Sequence, residues 1–592
     1  MCGIIGYIGP KARNIVIDGL YKLEYRGYDS AGIAEYNPNT KSYEIFKETG
    51  RVKDLKKTIK DNYETTLAIG HTRWATHGEV NKVNSHPHIS SNKRFIIVHN
   101  GIIENYKRIK YEYLKNYSFY SKTDSEVIVN LIEYFSSTYS VIDSIRKAMT
   151  ILEGTYAFLI IDALDNETIY FAKKQSPLLI GLDDKGAILS SDLLSFVGVC
   201  DNYYSISDNT LGYIKGKDLK LLDLLGNDIK PKFKKINIKE EDINKGSFNH
   251  YMLKEIYETP YVIRNVISKY FDNDDIVLQD ELVKVLKESS KIYIVASGTS
   301  YNAGLIGKYY FEKFGHKEVS IHFASELMYD DIYIKPGSIF LMLSQSGETL
   351  DSINVINRYK GLFKIISITN QEESSLNRLS DFSLNLYAGR EIAVASTKTY
   401  ISEIIVSLIL AMSICDNNKE LKHELSNLAV AVDKVLLKAP ICSEIAKEIY
   451  NSPYLFYIGR GLDYYVALEA SLKLKEVSYV FSQAYPSGEL KHGPIALIDD
   501  KTPVIALITS EATNAITRVN LKEAKTRNAK TIVVSTETFA HDNDVLVLPN
   551  VVGYLSPVTL AIAVQLIAYY TAKEKNCDID KPKNLAKCVT VA

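Results

Sequence analysis

The sequence predicts a β-rich N-terminal unit followed by two related α/β units, each a doubly wound parallel sheet. Three observations carry that prediction. The length, 592 residues, exceeds what one hydrophobic core serves. From about residue 290 the pattern becomes strand, glycine turn, helix, repeated, which implies parallel strands wrapped by helices. The pattern then restarts: Gly298 lies 28 residues before Glu326 of ASEL, and Gly461 lies 28 residues before Glu489 of SGEL. A fixed offset between otherwise unlike stretches marks a duplicated domain.

The elements follow in order. FIIVHNGIIENY (95–106) and ILEGTYAFLIIDAL (151–164) are apolar and β-branched, and read as strands of the first unit. KPKFKKINIKEEDINK (230–245) is charged and weakly periodic, a linker pattern. Residues 249–271 have helical spacing interrupted by Pro260, so two helices or a kink are expected. KIYIVASGTSYNAGLIGKYYF (291–311) and SIFLMLSQSGETLDSINVI (338–356) are strand–turn–helix units, and FKIISITN (363–370) is a further buried strand. After a helical stretch the scheme resumes with YLFYIGRGLDYYVALEASLKLKE (454–476). The domain boundaries expected are 1–238, a connection at 239–279, then 280–425 and 445–592.

Composition excludes several classes. Lys plus Arg is 70 against 71 Asp plus Glu, a net charge of −1, which speaks against a nucleic-acid coat. Hydrophobic residues at 46% and charged residues at 24% exclude a disordered chain. Six scattered cysteines form no CxxC pair, pointing to a reducing, cytoplasmic compartment without a disulfide framework. The N-terminus has no signal-peptide pattern. GYLSPVTLAIAVQLIAYYTA (553–572) is uncharged over about a membrane span. Ser556 as a cap, Pro557 in the first turn and Gln565 mid-run favour a buried core helix instead.

Cys2 is the first chemical candidate. If Met1 is removed, the residue carries a thiol and a free α-amine of pKa about 8, which can take the thiol proton without a separate histidine. Position alone is equally compatible with an incidental cysteine. Asn100-Gly101 reads in isolation as a hairpin turn, and Thr123–Glu126 as a capping box with Asp124 at a helix start. Five of the eleven histidines fall between His71 and His99, yet their spacing is not that of a metal site, and no metal is expected. SQSGET (344–349), opening a helix after an apolar strand, is either an anion cup or simple Ser/Thr capping; it lacks the Gly-Lys-Ser/Thr of a P-loop.

LEYRGYDSAGIA (23–34), HTRWATHGE (71–79), HPH (86–88), VHNGIIEN (98–105) and SKTDSE (121–126), in that order, resemble the N-terminal-nucleophile glutamine amidotransferases. SGTSYN (297–302), LSQSGET (343–349), VASTK (394–398), SLKLKE (471–476), GELKHGP (488–494) and NLAKCVTVA (584–592) resemble paired sugar isomerase (SIS) domains. Together they resemble the glutamine–fructose-6-phosphate aminotransferase family along nearly the whole chain. The resemblance implies an αββα glutaminase domain followed by two SIS domains.

It also implies roles. Cys2 attacks the glutamine amide and forms a γ-glutamyl thioester. Asn100 and Gly101 form the oxyanion hole, Arg73 and Asp124 hold the α-carboxylate and α-ammonium, and Thr76 and His77 line the site. Trp74 gates an ammonia channel. Thr299, Ser300, Ser344, Gln345, Ser346 and Thr349 hold the phosphate end of fructose 6-phosphate, and Val394 and Ser396 contact the sugar. His492, supplied by a neighbouring subunit, opens the ring. Lys587 forms a Schiff base at C2 and needs a depressed pKa to do so. Glu476, with Lys473 one turn earlier, moves the proton between C1 and C2. The bland alternatives are a surface ion pair for Lys473–Glu476, a turn for His492 and a solvated tail for Lys587. The implied partners are glutamine, fructose 6-phosphate and a second copy of the chain in a homodimer, with no nucleic acid, membrane or cofactor. The glutaminase motif does not see the acceptor, so another keto-sugar phosphate fits too, and a non-catalytic sugar-phosphate sensor is the remaining reading. Three departures stand out: Ser297 and Cys588 occupy positions where the family often has cysteine and serine, and the chain ends in Ala592 rather than glutamate.

Overall fold

The structure, a computed structural model, describes residues 2–60, 63–74, 78–236, 244–415 and 418–588. The chain divides into two compact units, Met1–Asn244 with Cys588–Ala592, and Lys245–Lys587. Part of the expected linker (237–243), Thr76, His77 and Ala592 lie outside the described residues.

The first unit is built on two stacked antiparallel sheets of eight and six strands. Period-two alternation explains the layering. In the strand Gly3–Ile8, Ile4 and Ile8 face the second sheet, where Val98, Leu159 and Phe171 meet them. Ile5 and Tyr7 point the other way, onto Val16 and Leu20 of the helix Ala12–Leu23. In the strand Phe95–Ile103, Ile96 and Val98 join the inter-sheet core, while Phe95 and Ile97 pack on Ile128 and Ile145 of the helices Ser125–Ser136 and Val141–Ile151. Each sheet is thus buried on both faces, which is the αββα arrangement. The hairpin reading of Asn100-Gly101 is overturned: both lie within the strand, opposite Ala157 and Tyr156. The strand continues because its partner, Gly154–Asp162, runs alongside it to Ile103.

The second unit holds two five-stranded sheets, both wholly parallel. Their strands run Val319–Phe323, Ile292–Ala296, Ile339–Ser344, Lys364–Thr369, Phe382–Asn385 in the first, and Phe481–Pro486, Tyr454–Gly459, Pro503–Ile508, Lys530–Thr536, Leu546–Leu548 in the second. Numbered within each sheet, both orders are 2-1-3-4-5, so the repeat read from the sequence is a repeat of topology. One core joins Ile294, Leu341 and Ile366 of the first sheet to Leu455, Ile505 and Val534 of the second through helices Lys398–Ser413, Leu462–Ser478 and Ser556–Glu574. Pro260 separates two helices, Tyr251–Tyr257 and Thr259–Tyr270, and sits in the first turn of the second, where its missing N–H costs nothing.

The long apolar stretch is the helix Ser556–Glu574. Its most apolar window is 94% buried within the protein, the environment of a core helix. Gln565 is accommodated there by donating from Nε2 to Thr397 O at 3.3 Å. Ser556 is not its cap: the hydroxyl donates to Gly553 O at 2.8 Å and meets Thr509 Oγ1 at 2.8 Å.

Gly32, in the strand Ser30–Asn37, is packed against the carbonyl of His86, and an added Cβ would lie 2.0 Å from that oxygen. Backbone cannot give way as a flexible side chain does, so Gly32→Ala should destabilise the first unit by about 2 kcal/mol or more. Trp74, the single tryptophan, reports on that unit alone. Urea unfolding followed by its fluorescence should show a lowered midpoint.

Candidate active sites

Cys2 immediately precedes the strand Gly3–Ile8, which pairs with Leu67–Arg73 so that Gly3 faces Thr72. This register brings the thiol onto the Trp74 backbone. Trp74 N donates to Sγ at 3.3 Å, and Trp74 O lies 3.4 Å from Sγ. Burial pushes the Cys2 thiol up, so it needs a base to become a nucleophile. Asn100 donates from Nδ2 to Cys2 O at 2.9 Å, bridging the two sheets. Gly101 has φ +133°, and a Cβ there would fall 2.0 Å from Thr155 O, so only glycine fits.

Asp124 is not a helix cap. Its Oδ2 accepts from Ile103 N at 2.7 Å, two residues beyond Gly101. Glu126 likewise turns back, accepting from Tyr120 N and Ser121 N at 3.0 Å each. The capping-box reading therefore gives way to contacts that hold the strand and its preceding loop. Arg73 donates to Gly78 O at 3.1 Å and Glu79 O at 3.3 Å. Asn84 donates to Glu79 O and accepts from Lys122 N, both at 2.9 Å, so the loops bearing Arg73 and Asp124 are tied together.

Behind this site lie His71, His86, His88 and His99, all buried. His71 stacks on His86 with ring centroids 4.1 Å apart, and His88 meets His86 edge-on at 4.3 Å. His71 Nε2 is 3.0 Å from His99 O, and His99 Nδ1 is 2.9 Å from Ser125 Oγ. Burial drives all four well below the usual histidine range, His71 to about 3 and His99 to about 4, helped at His86 by the neighbouring imidazoles and at His88 by Lys47 and His71. They are neutral packing groups. Among the described residues no cluster of three or more His, Cys, Asp or Glu is arranged to hold a metal ion.

In the second unit, the 2-1-3-4-5 order places a crevice at the carboxyl ends of the strands Ile292–Ala296 and Ile339–Ser344, where the order reverses. SGTSYN and SQSGET leave those strand ends. Gly347, at φ +64°, turns the loop, and its N–H donates to Ser344 Oγ at 3.1 Å. Ser344 Oγ lies 3.3 Å from Thr349 Oγ1, and Ser346 Oγ accepts from Glu348 N at 3.1 Å. Thr349 makes no side-chain cap to the helix Leu350–Tyr359, so simple capping does not account for this hydroxyl. Thr299 and Ser300 donate to buried carboxylates, Thr299 to Glu469 at 3.2 Å and Ser300 to Glu403 at 2.7 Å.

Of the remaining candidate residues, Lys473 and Glu476 lie on the helix Leu462–Ser478 and Lys587 on the tail. Lys473 is buried, with Nζ 2.5 Å from Glu476 Oε2 and 3.5 Å from Glu469 Oε1, so it is not half of a surface pair. Burial opposes its charge, but the two carboxylates together hold it above the ordinary lysine range. Burial raises Glu469 to about 7 despite Lys473, and Glu403 to about 8 despite Ser300. Lys587 is not a solvated residue: its side chain is 4% exposed and its Nζ sits 2.5 Å from Glu391 Oε2. Val394 donates its N–H to Asp580 O at 3.0 Å, and Ser396 donates to Glu391 at 2.8 Å. His492 is exposed on a turn, and among the described residues it makes no side-chain hydrogen bond to Lys473, Glu476 or Lys587. In the duplicated sheet the corresponding crevice is filled from within: Asp463 accepts from Thr509 N at 3.0 Å and from the Thr509 hydroxyl at 2.5 Å.

Comparison with known proteins agrees with these halves. A glutamine amidotransferase domain model matches residues 71–197, and a SIS domain model matches 285–413 and again 448–573. The glutamine–fructose-6-phosphate aminotransferase (isomerizing) of Halalkalibacterium halodurans is 43% identical, with 100% of each chain covered. That of Listeria monocytogenes is 44% identical, again with 100% of each covered. The chain belongs to the glutamine–fructose-6-phosphate aminotransferase (isomerizing) family. Among solved structures, the C-terminal domain of the glucosamine-fructose-6-phosphate aminotransferase of Francisella tularensis superposes with TM-score 0.55 at 36% identity, covering 57% of this chain and 99% of that one. The tagatose-6-phosphate ketose/aldose isomerase of Escherichia coli shares the fold, with TM-score 0.50 at 18% identity over 56% of this chain and 96% of that one.

Sequence reasoning for this aminotransferase family member missed Glu391, Glu403 and Glu469. Each is an acid on a buried surface, and a carboxylate interrupting an apolar helix, as Glu403 does in TYISEIIVSLIL, is the signal that was there to read.

The neutral histidines make a pH prediction. In the unfolded chain a histidine protonates near about 6.5, whereas folded His71 and His99 hold out to about 3 and about 4. Between those values the unfolded state binds more protons, so stability rises with pH. Lowering pH from about 7.5 to about 5 should cost the first unit on the order of 3–4 kcal/mol from these two alone. Urea midpoints from Trp74 fluorescence should fall accordingly; a flat profile would contradict the neutral assignment.

Proposed function

We propose that the chain converts D-fructose 6-phosphate and L-glutamine to D-glucosamine 6-phosphate and L-glutamate. The observation that carries this reading is one chain, matched along its whole length by this family, in which a nucleophile site and a sugar-phosphate crevice are both built from the residues the reaction needs.

At the first site, the α-amine of Cys2, free once Met1 is removed, takes the thiol proton, and the thiolate attacks the side-chain amide of glutamine. The developing oxyanion is met by Asn100 Nδ2 and Gly101 N–H, donors fixed in a strand. One hydrogen of Asn100 Nδ2 goes to Cys2 O at 2.9 Å, which keeps the amide adjacent to the reacting residue and leaves its second hydrogen for the oxyanion. Ammonia leaves, and water releases glutamate from the thioester. Arg73 and Asp124 take the α-carboxylate and α-ammonium. Ammonia is handed on past Trp74 as the gate.

At the second site the SQSGET cup (Ser344, Gln345, Ser346, Thr349) holds the phosphate, beside Thr299 and Ser300. Val394 and Ser396 contact the sugar. His492 opens the ring, and its exposed position supports its being supplied to a second copy in a homodimer. Lys587 attacks C2 and forms a Schiff base with loss of the carbonyl oxygen as water, and ammonia then displaces the lysine, leaving its own nitrogen on C2. Glu476 carries the proton between C1 and C2, with Lys473 pairing its charge. The product is the first amino sugar of a route that acylates and activates hexosamines. A reducing, cytoplasmic setting suits the thiol nucleophile.

Two measurements test the reading. Purified protein with both substrates should yield glutamate and glucosamine 6-phosphate in equal amounts by mass spectrometry. Cys2→Ala should abolish glutamine turnover, by more than about a hundredfold, while fructose 6-phosphate binding by calorimetry stays unchanged. Glutamate without amino sugar would refute the acceptor.

A further inference from the structure

Glu391 accepts five hydrogen bonds, more than a surface carboxylate needs. It is fully buried. Its Oε1 accepts from Thr397 N at 2.9 Å and Thr399 N at 3.1 Å. Its Oε2 accepts from Ser396 Oγ at 2.8 Å, from Thr399 Oγ1 at 2.6 Å and from Lys587 Nζ at 2.5 Å. One side chain therefore fixes the turn that carries Val394 and Ser396 and also fixes the amine of the tail. Lys587 Nζ reaches Ser396 Oγ at 3.5 Å as well, so amine and sugar-contacting hydroxyl share a single anchor.

The charge bookkeeping of imine formation explains why a carboxylate belongs there. An ammonium and a ketone give a protonated imine and water. Two of the three N–H protons depart with the carbonyl oxygen, the C2–N bond replaces the C2–O bond, and the positive charge stays on nitrogen. A neighbour that compensates the ammonium also compensates the iminium, with no reorganisation between them. We propose that Glu391 is the charge partner of Lys587 throughout that step, holding the amine beside Ser396 and stabilising the cationic imine. The proposal rests on Lys587 being the Schiff-base lysine.

The surrounding charges are consistent with this assignment. Glu255 and Glu403 also face this pair, but burial raises each to about 8, so near neutral pH both are largely uncharged. Lys398 is engaged with Glu258 at 2.7 Å, and Lys473 with Glu476 and Glu469. Against burial, the Lys587 charge and the hydroxyl and backbone donors hold Glu391 down at about 2. It is the ionised member of this group.

The test uses the full chain as Glu391→Gln and Glu391→Asp, with two readouts. The first needs no sugar: acetic anhydride labelling of Lys587 against pH, read by peptide mass spectrometry. Removing an anion in contact should move the labelling midpoint down by about one pH unit or more in Glu391→Gln. The second is borohydride reduction in the presence of fructose 6-phosphate. The wild-type chain should carry the reduced sugar adduct on Lys587, and Glu391→Gln should carry it at least tenfold less, with sugar-phosphate binding retained. Glu391→Asp keeps the charge but withdraws it by one methylene, and should fall between the two. Should the Gln variant not fold, an Asp variant matching wild type in both readouts overturns the proposal, as does an unmoved midpoint with undiminished adduct in Gln. If the wild type gives no adduct while the midpoint still moves, it is the Schiff-base assignment that fails, and the charge partnership remains.

Discussion

A lysine ammonium buried in a protein core costs several kcal/mol unless a carboxylate stands within contact distance. Among the described residues the isomerase half of this chain buries three, Lys398, Lys473 and Lys587, and each has a carboxylate in place. Much of the local architecture follows from meeting that demand. Glu391 can reach Lys587 only if the turn at 391–399 is drawn around it by backbone and hydroxyl donors. Glu469 can reach Lys473 only from the preceding turn of the same helix, and it is steadied by Thr299 and Asn302 from the other sheet's crevice, the latter at 2.7 Å. Thr299 and Asn302 are thereby linked to Lys473 and Glu476 through the buried Glu469.

The glutaminase half solves a different problem, that of bringing a thiol and an amide from two sheets together. Register does this. The pairing of Gly3 with Thr72 sets Cys2 beside Trp74, and the pairing of Gly101 with Tyr156 sets Asn100 to reach back to Cys2. The four buried histidines fill the space behind, where neutral imidazoles offer both packing area and hydrogen bonds to His99 O and Ser125.

Much of this was legible in the sequence, and what was not has physical reasons. Strand–glycine–helix rhythm and the 28-residue offset reveal the duplicated parallel sheets because they are local patterns. Family-like motifs mark Cys2, Arg73, Asn100, Lys473, Glu476 and Lys587. Asn100-Gly101 reads as a hairpin because a dipeptide carries turn propensity, whereas the strand beside it, 50-odd residues downstream, holds it extended. Asp124 and Ser556 read as caps for the same reason, and long-range partners claim both. Glu391, Glu403 and Glu469 were missed because their importance is a matter of burial, which depends on tertiary contacts. Lys587 was expected with a depressed pKa, and its placement against a carboxylate was not foreseen.

The self-filled crevice of the second sheet bears on how a duplicated domain divides its labour. Where the first copy presents Ser300, the second presents Asp463, counted from Gly298 and Gly461, and that acid occupies its own loop. A phosphate would meet a negative charge there. The second copy instead lends the helix Leu462–Ser478, whose Glu469 accepts from Thr299 and Asn302, to the crevice of its twin. The pair is a single asymmetric piece made from two impressions of the same mould.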